Sequence, residues 1–403
     1  VPEAVIVSAA RSPIGRARKG SLRDLRADDL AATIIHAALD KIPAFDPREL
    51  TDIMIGCAQP AGEQGYGLAR VISVLLGYDT VPGTTVQRYC ASSLQTTRMA
   101  FHAIRAGEGD AFISGGVEMV SRFGLGKSDG MPDTKNSKFA APAERAAAQA
   151  GSTWTDPREE GLVPDVYLAM GETAENVASL RSISRREQDE YAALSQARAQ
   201  ESIASGFFDR EITPVQTPDG QTVSRDDGPR AGVDVDSLST LEPVFRPDGT
   251  VTAGNCCPVN DGAAALVIMS EQRAKDLGIE PLARILSTSV SGISPEIMGL
   301  SPVEATRRAV ASAGLNVSDV DLFEINEAFA AQVIPSYRDL GVDVDRVNVH
   351  GGAIALGHPF GMTGARMTAT LLNALSWGDK EIGVETMCAA GGQGMAMVVQ
   401  RLK

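Results

Sequence analysis

Short β-branched runs alternate with helical stretches along most of this chain, and that alternation constrains its fold more than any other feature. AVIVSA (4–9), DIMIGC (52–57), TTVQRY (84–89) and DAFISGG (110–116) read as strands. Leu30–Ile42 spaces its apolar residues at helical intervals and meets Pro43 just beyond. Strand–helix–strand order predicts an α/β protein with a largely parallel sheet covered by helices. The pattern lapses from about Phe123 to Gly161 into a polar stretch with Gly and Pro. Two helical stretches follow, AMGETAENVASL (169–180) and a longer one ending on Gly206, and then polar chain to about Gly249. After Thr250 the alternation resumes, with a Pro-started, Gly-ended helix at PVEATRRAVASAG (302–314).

The two α/β blocks echo each other. DIMIGCAQP and DLFEINEAF both put an apolar strand before a polar turn, and DAFISGGVEMVS and GVETMCAAGGQG both put a strand before a Gly pair. We read a duplicated unit: an N-terminal half over 1–122 plus 249–272, a C-terminal half over 273–403, and an inserted segment at 123–248. With 403 residues the chain is long enough for several such cores. An insertion of this length is more often a substrate-covering element than a linker.

Composition narrows the function classes. A net charge of −14 opposes binding to nucleic acid or to an anionic membrane. No apolar run reaches the roughly 18–20 residues of a membrane span. The first residues lack a basic region followed by a long apolar core, so they read as a strand and not as a signal peptide. Five cysteines, none in CxxC spacing, and four histidines support neither a disulfide framework nor a metal site. The expected setting is a reducing, cytoplasmic one. Cys256 and Cys257 are adjacent; buried thiols are the commoner case, a vicinal redox pair the rarer.

Four constellations carry chemistry. Cys90 stands where a strand gives way to a helix, and a helix N-terminus favours a thiolate nucleophile. A lone cysteine after a strand is otherwise usually a buried structural thiol. HGGAIALGHPFGMTGARM (350–367) holds His358 in a Gly- and Pro-rich turn, a better place for a catalytic base than the helical His36 and His102. Its glycines do not form a dinucleotide-binding GxGxxG frame. In EINEAFAAQ (324–332) two carboxylates flank Asn326, which on its own reads as a helix cap. In CAAGGQGMA (388–396) a strand delivers Cys388 into a glycine turn whose N–H groups suit an oxyanion.

Together with MGETAEN, DGTVTAGN, NDGAAA and NEAFA, these motifs resemble the thiolases over nearly the whole chain. The ketoacyl synthases, which pair their cysteine with two histidines, fit less well. The resemblance implies a five-layered α-β-α-β-α core, each half a five-stranded sheet, with the inserted loop domain covering coenzyme A. It implies cleavage of 3-ketoacyl-CoA by CoA, as in fatty acid β-oxidation, with CoA as co-substrate and no permanently bound cofactor. By the same resemblance Cys90 is the nucleophile, His358 the base and Cys388 the second acid and base. Asn326 with His358 forms one oxyanion site, and the N–H groups of Cys90 and Ala390 form the other. Arg230, Ser237 and Cys257 match CoA-contacting positions, and Met170 and Phe329 match pocket-lining ones. A homodimer or homotetramer, and partner enzymes of β-oxidation, are implied in the same way.

The chain departs from the family pattern at Gln87, at Ser93 (commonly Gly), at Cys257 (commonly Ser), and at Ala390 (commonly Gly). The last matters if that turn needs positive φ. Ala169 stands where short-chain biosynthetic thiolases often carry His, which favours a degradative enzyme. An acetoacetyl-CoA thiolase working in synthesis is the nearest alternative. A non-catalytic CoA- or lipid-binding relative and a redox protein built on Cys256–Cys257 are more distant ones.

Overall fold

A computed structural model describes residues 1–125 and 132–402; residues 126–131, part of the predicted insertion, lie outside the described residues. The main strands are β1 (Ala4–Arg11), β2 (Asp52–Gly56), β3 (Gly83–Val86), β4 (Ala111–Met119), β5 (Asn260–Ser270), β6 (Ala283–Gly292), β7 (Leu322–Ile325), β8 (Ile382–Ala389) and β9 (Gln393–Arg401). The helices that matter here are α1 (Ala27–Asp40), α2 (Leu68–Leu75), α3 (Ser92–Ala106), α4 (Met170–Arg181), α5 (Arg185–Ala204), α6 (Ser301–Ser312), α7 (Ala330–Leu340) and α8 (Thr363–Trp377). The strand order is β7-β8-β9-β6-β1-β5-β4-β2-β3. Only two residue pairs, Val5–Arg284 and Ile6–Ala283, join β1 to β6, so two half-sheets meet at a narrow seam.

Strand alternation builds the layers. Side chains of period two send Ile6, Leu266 and Ile268 to one face and Val5, Val7, Val267 and Met269 to the other. In the second half-sheet Met395, Met397 and Val399 face one way and Ala396 and Val398 the other. The inner faces share one core with Leu94 and Phe101 of α3 and Met367 and Leu371 of α8. The outer faces are covered by α1 and α2 on one side and by α6 and α7 on the other. Three apolar cores between five layers make the α-β-α-β-α stack.

Three sequence expectations need correction. The sheet is mixed and not largely parallel: β2–β3, β2–β4 and β7–β8 pair in parallel, whereas β1–β5, β4–β5, β1–β6, β6–β9 and β8–β9 pair antiparallel. The C-terminal half-sheet has four strands, not five. Where the first half places β3, the second makes a single bridge, Phe323–Val347, because the chain leaves extended geometry at Asn348 (φ 47°). The predicted strand at 84–89 is also short. It ends at Val86, because Tyr89 turns to φ 45°.

Candidate active site

The Cys90 turn is built by its neighbours. The Arg88 N–H donates to the Ser92 hydroxyl at 2.9 Å, and that hydroxyl donates to the Tyr89 carbonyl at 2.6 Å. This closes a tight turn over Tyr89–Ala91 immediately before α3. A non-glycine residue at positive φ costs of order 1–3 kcal/mol and persists where the surroundings enforce it. Gly56, at the end of β2, admits this helix start, since a Cβ there would strike the backbone of Ser92 and Ser93. Cys90 keeps part of its surface open to a cavity of about 410 Å³ that Ala58, Tyr89, Met170, Phe360 and Ala390 also line.

Electrostatics at Cys90 correct the expectation of easy ionisation. A helix N-terminus stabilises an anion by about 0.3–1 kcal/mol, up to about 2 kcal/mol when partly buried. That is at most about one and a half pKa units at about 1.4 kcal/mol each. Burial outweighs it and pushes the thiol well above its usual value, and Cys388 and then Glu118 push it further. The resting nucleophile is therefore a thiol that must lose its proton during attack. Burial likewise pushes Cys388 up to about 12.

His358 is buried in the turn before α8, where its N–H donates to the Asn260 side-chain oxygen at 2.9 Å. Its tautomer follows from the bonds around it. The Thr363 hydroxyl donates to the Pro359 carbonyl at 2.7 Å, so it can only accept from His358 Nδ1–H, 2.6 Å away. Nε2 then carries the lone pair, and Asn326 Nδ2 approaches it at 3.4 Å. Burial, with Arg366 nearby, pushes the imidazole down to about 3, so it is neutral at working pH. The Asn326 side-chain oxygen is buried and has no hydrogen-bond partner among the described residues.

Cys388 is the last residue but one of β8 and lies beside Met170, Phe329 and Val251 in one small cluster. Ala390 follows, and positive φ falls on Gly391 (80°) and Gly392 (77°) instead. The alanine at 390 therefore costs the turn nothing. Cys257 and Cys256 run beside Phe329, with the Cys257 N–H donating to the Ala328 carbonyl at 3.1 Å. All five cysteines are free thiols. Arg230 and Ser237 lie exposed on the inserted segment and do not line the Cys90 cavity. The Ser237 hydroxyl is spent on a helix cap with Asp234. His36 and His102 are both exposed, and His36 pairs with Asp40.

Two of the departures have work here. The Ser93 hydroxyl accepts from the Ala365 N–H at 2.9 Å and ties α3 to α8. Gln87 donates to the Ala58 carbonyl at 3.3 Å. Sequence reasoning missed Glu118, a buried carboxylate in an otherwise apolar strand. It accepts from the N–H groups of Ala58 (2.8 Å), Gln59 (3.2 Å) and Gly361 (2.9 Å) and from Gln64 Nε2 (2.8 Å). It thereby clamps the cavity wall to the His358 turn. A lone acid inside ISGGVEMV was the available signal. Glu327 does the same for the Asn326 turn, accepting from Tyr191, Ser195, Asn348 and the Ile354 N–H.

Among the described residues no group of His, Cys, Asp and Glu could hold a metal ion, and no helix is long and apolar enough to cross a membrane. Comparison with known proteins agrees with the geometry. Residues 4–272 match the thiolase N-terminal domain and residues 279–401 the thiolase C-terminal domain. The 3-ketoacyl-CoA thiolase of Bacillus subtilis (strain 168) is 42% identical over 411 residues, covering 99% of each chain. The β-ketoadipyl-CoA thiolase of Escherichia coli is also 42% identical, over 99% of this chain and 100% of that one. The crystal structure of human mitochondrial 3-ketoacyl-CoA thiolase superposes with a TM-score of 0.87 at 35% identity, over 100% of this chain and 99% of that one. With strand ends of both halves converging on one thiol-lined cavity, and matches of this extent, the chain belongs to the thiolase family and is an acyltransferase.

Proposed function

We propose that this chain cleaves 3-ketoacyl-CoA with CoA, giving acetyl-CoA and a shortened acyl-CoA through an acyl-thioester on Cys90. The observation that carries the reading is the packing of β8, which brings Cys388, against the Tyr89–Ala91 turn of the other half, so that Cys388 lies close enough to act on the charge of Cys90. Neutral His358 takes the Cys90 proton on Nε2 while Thr363 holds Nδ1–H. The thiolate attacks the 3-keto carbon. The N–H groups of Cys90 and Ala390 stabilise the tetrahedral oxyanion. The C2–C3 bond breaks, and its electron pair leaves in the acetyl-CoA enolate, beside protonated His358 and Asn326. Cys388 protonates C2. CoA then enters and its thiol gives a proton to the Cys388 thiolate. Its sulfur displaces Cys90, which recovers its proton from His358.

Arg230, Ser237 and Cys257 are assigned to CoA by the family likeness, and Met170 and Phe329 to the pocket wall. Ala169 lines the Cys90 cavity. A methyl group in place of an imidazole leaves room for a longer acyl chain, which supports the degradative role over acetoacetyl-CoA synthesis. The test is CoA-dependent loss of a C4 and a C8 3-ketoacyl-CoA by wild type and Cys90→Ala. We expect turnover of both by wild type, C8 favoured, and a loss of at least about 10³-fold in the mutant. Full activity in Cys90→Ala would overturn the mechanism, and a strong C4 preference would overturn the degradative role.

A further inference from the structure

We propose that the acyl cavity selects 3-ketoacyl chains whose far end is an anion, and that Lys135 is the residue that selects them. The inference rests on the thiolase reading above and deepens it. The cavity that opens on Cys90 is walled mainly by apolar side chains, among them Val166, Leu168, Met170 and Phe360. Lys135 is the one charged residue among its described lining residues. Its ammonium sits 5.7 Å from the centroid of the Tyr167 ring, which lines the same cavity. Tyr167 is itself fixed: its hydroxyl accepts from the Asn136 N–H at 3.2 Å, and its ring packs edge-on against Phe139.

Two contrasts give this cation meaning. The chain carries a net charge of −14, and its ion pairs are made overwhelmingly by arginines. Lys135, by contrast, has no carboxylate within ion-pair distance among the described residues. It is a positive charge on the cavity wall with an aromatic neighbour, Tyr167, and no carboxylate partner among the described residues. The cavity is also separate from the CoA residues, because Arg230, Ser237 and Cys257 do not line it. An ammonium there serves the acyl branch and not the nucleotide. A methyl-ended chain gains nothing from it, whereas a carboxylate end finds a counter-ion on the cavity wall; Lys135 is exposed, so water and salt screen the pair and its gain is modest. The substrate class is therefore a 3-ketoacyl-CoA with a terminal carboxylate.

The experiment measures kcat/KM for two matched pairs of 3-ketoacyl-CoA, six and eight carbons long, each with a methyl or a carboxylate terminus. Wild type should favour the carboxylate by about five- to tenfold in at least one pair, and the preference should fall as salt rises. Lys135→Met should abolish that ratio, and Lys135→Arg should keep most of it. The proposal is overturned if wild type prefers the methyl terminus in both pairs, or if Lys135→Met leaves the ratio unchanged. It is also overturned if Lys135→Met weakens both termini equally, which would put the ammonium on the CoA phosphates. Turnover of methyl-ended chains without a carboxylate preference defeats this inference alone. No turnover of any substrate by folded wild type defeats the thiolase reading with it.

Discussion

In the N-terminal half, β2 ends with Gly56 paired to Gly116 of β4; in the C-terminal half, β7 ends with Ile325 paired to Thr386 of β8. Counting two residues on from each pair on the longer strand reaches Glu118 in one half and Cys388 in the other. Counting one residue on from the shorter strand reaches Cys57 and Asn326. The duplicated scaffold thus offers the same two slots twice. In the first half Glu118 fills its slot with a carboxylate saturated by four donors, and Cys57 is buried beside it. In the second half Cys388 is a thiol in an apolar cluster, and Asn326 keeps an unpaired oxygen. A saturated polar group holds loops still, and an unsaturated one is available to a substrate. The same two slots hold a saturated frame in the half that carries Cys90 and, on the function proposed above, an acid and an amide in the other.

That contrast breaks or sharpens under mutation. Cys388→Ala should cost the most, about 10²–10⁴-fold in kcat with the fold intact by circular dichroism, because it removes the proton donor of the first half-reaction and the proton acceptor of the second. A residual rate near wild type would return Cys388 to the frame. Glu118→Ala should show the opposite balance. It strands three backbone N–H groups, so unfolding in urea should reveal a loss of about 2–3 kcal/mol, with about a 10- to 100-fold fall in kcat from the misplaced His358 turn. A variant of full stability and no activity would make Glu118 a reacting group.

Acid stability should separate the halves more gently. His358 titrates near 3 when folded, below the ordinary 6.5 of the unfolded chain. Between those values the unfolded state binds the extra proton. The stability tied to neutral His358 is therefore complete above pH 6.5 and is lost as pH falls towards 3. Urea midpoints of His358→Asn should fall less steeply than wild type over that window, and equal slopes would place the acid sensitivity elsewhere. The smallest effect should come from Ser93→Ala, which removes one hydrogen bond between α3 and α8. About 1 kcal/mol of stability should go, with kcat within about threefold of wild type. A larger fall in kcat would show that the helix pair tunes the Cys90 turn.

Much of this was legible in the chain. A β-branched run located β1, which is buried on both faces, and helical spacing located α1 and α6, which each bury one face against a layer. Cys90 stood out at the junction of a strand and a helix, and His358 and Cys388 because glycine turns adjoin them. The rest depends on partners far along the chain. The locked tautomer of His358 needs Thr363 to spend its proton on Pro359. The raised thiol of Cys90 needs burial that no local pattern reveals, so a helix-dipole argument gave the wrong sign. Glu118 looked like an ordinary strand residue until Gly361, 243 positions later, was seen to donate to it. The missing fifth strand of the second half turns on one backbone angle at Asn348.

The insertion between β4 and β5 also bears on how the molecule is made. β5 lies between β1 and β4 and pairs with both, yet it comes after the whole inserted segment. The N-terminal half-sheet cannot close until residues 260–270 have left the ribosome. The C-terminal half-sheet draws all its strands from 283–401. Long-range pairing slows folding. During synthesis the first half therefore waits with the edges of β1 and β4 unpaired, a state in which strands of neighbouring chains compete for the place of β5.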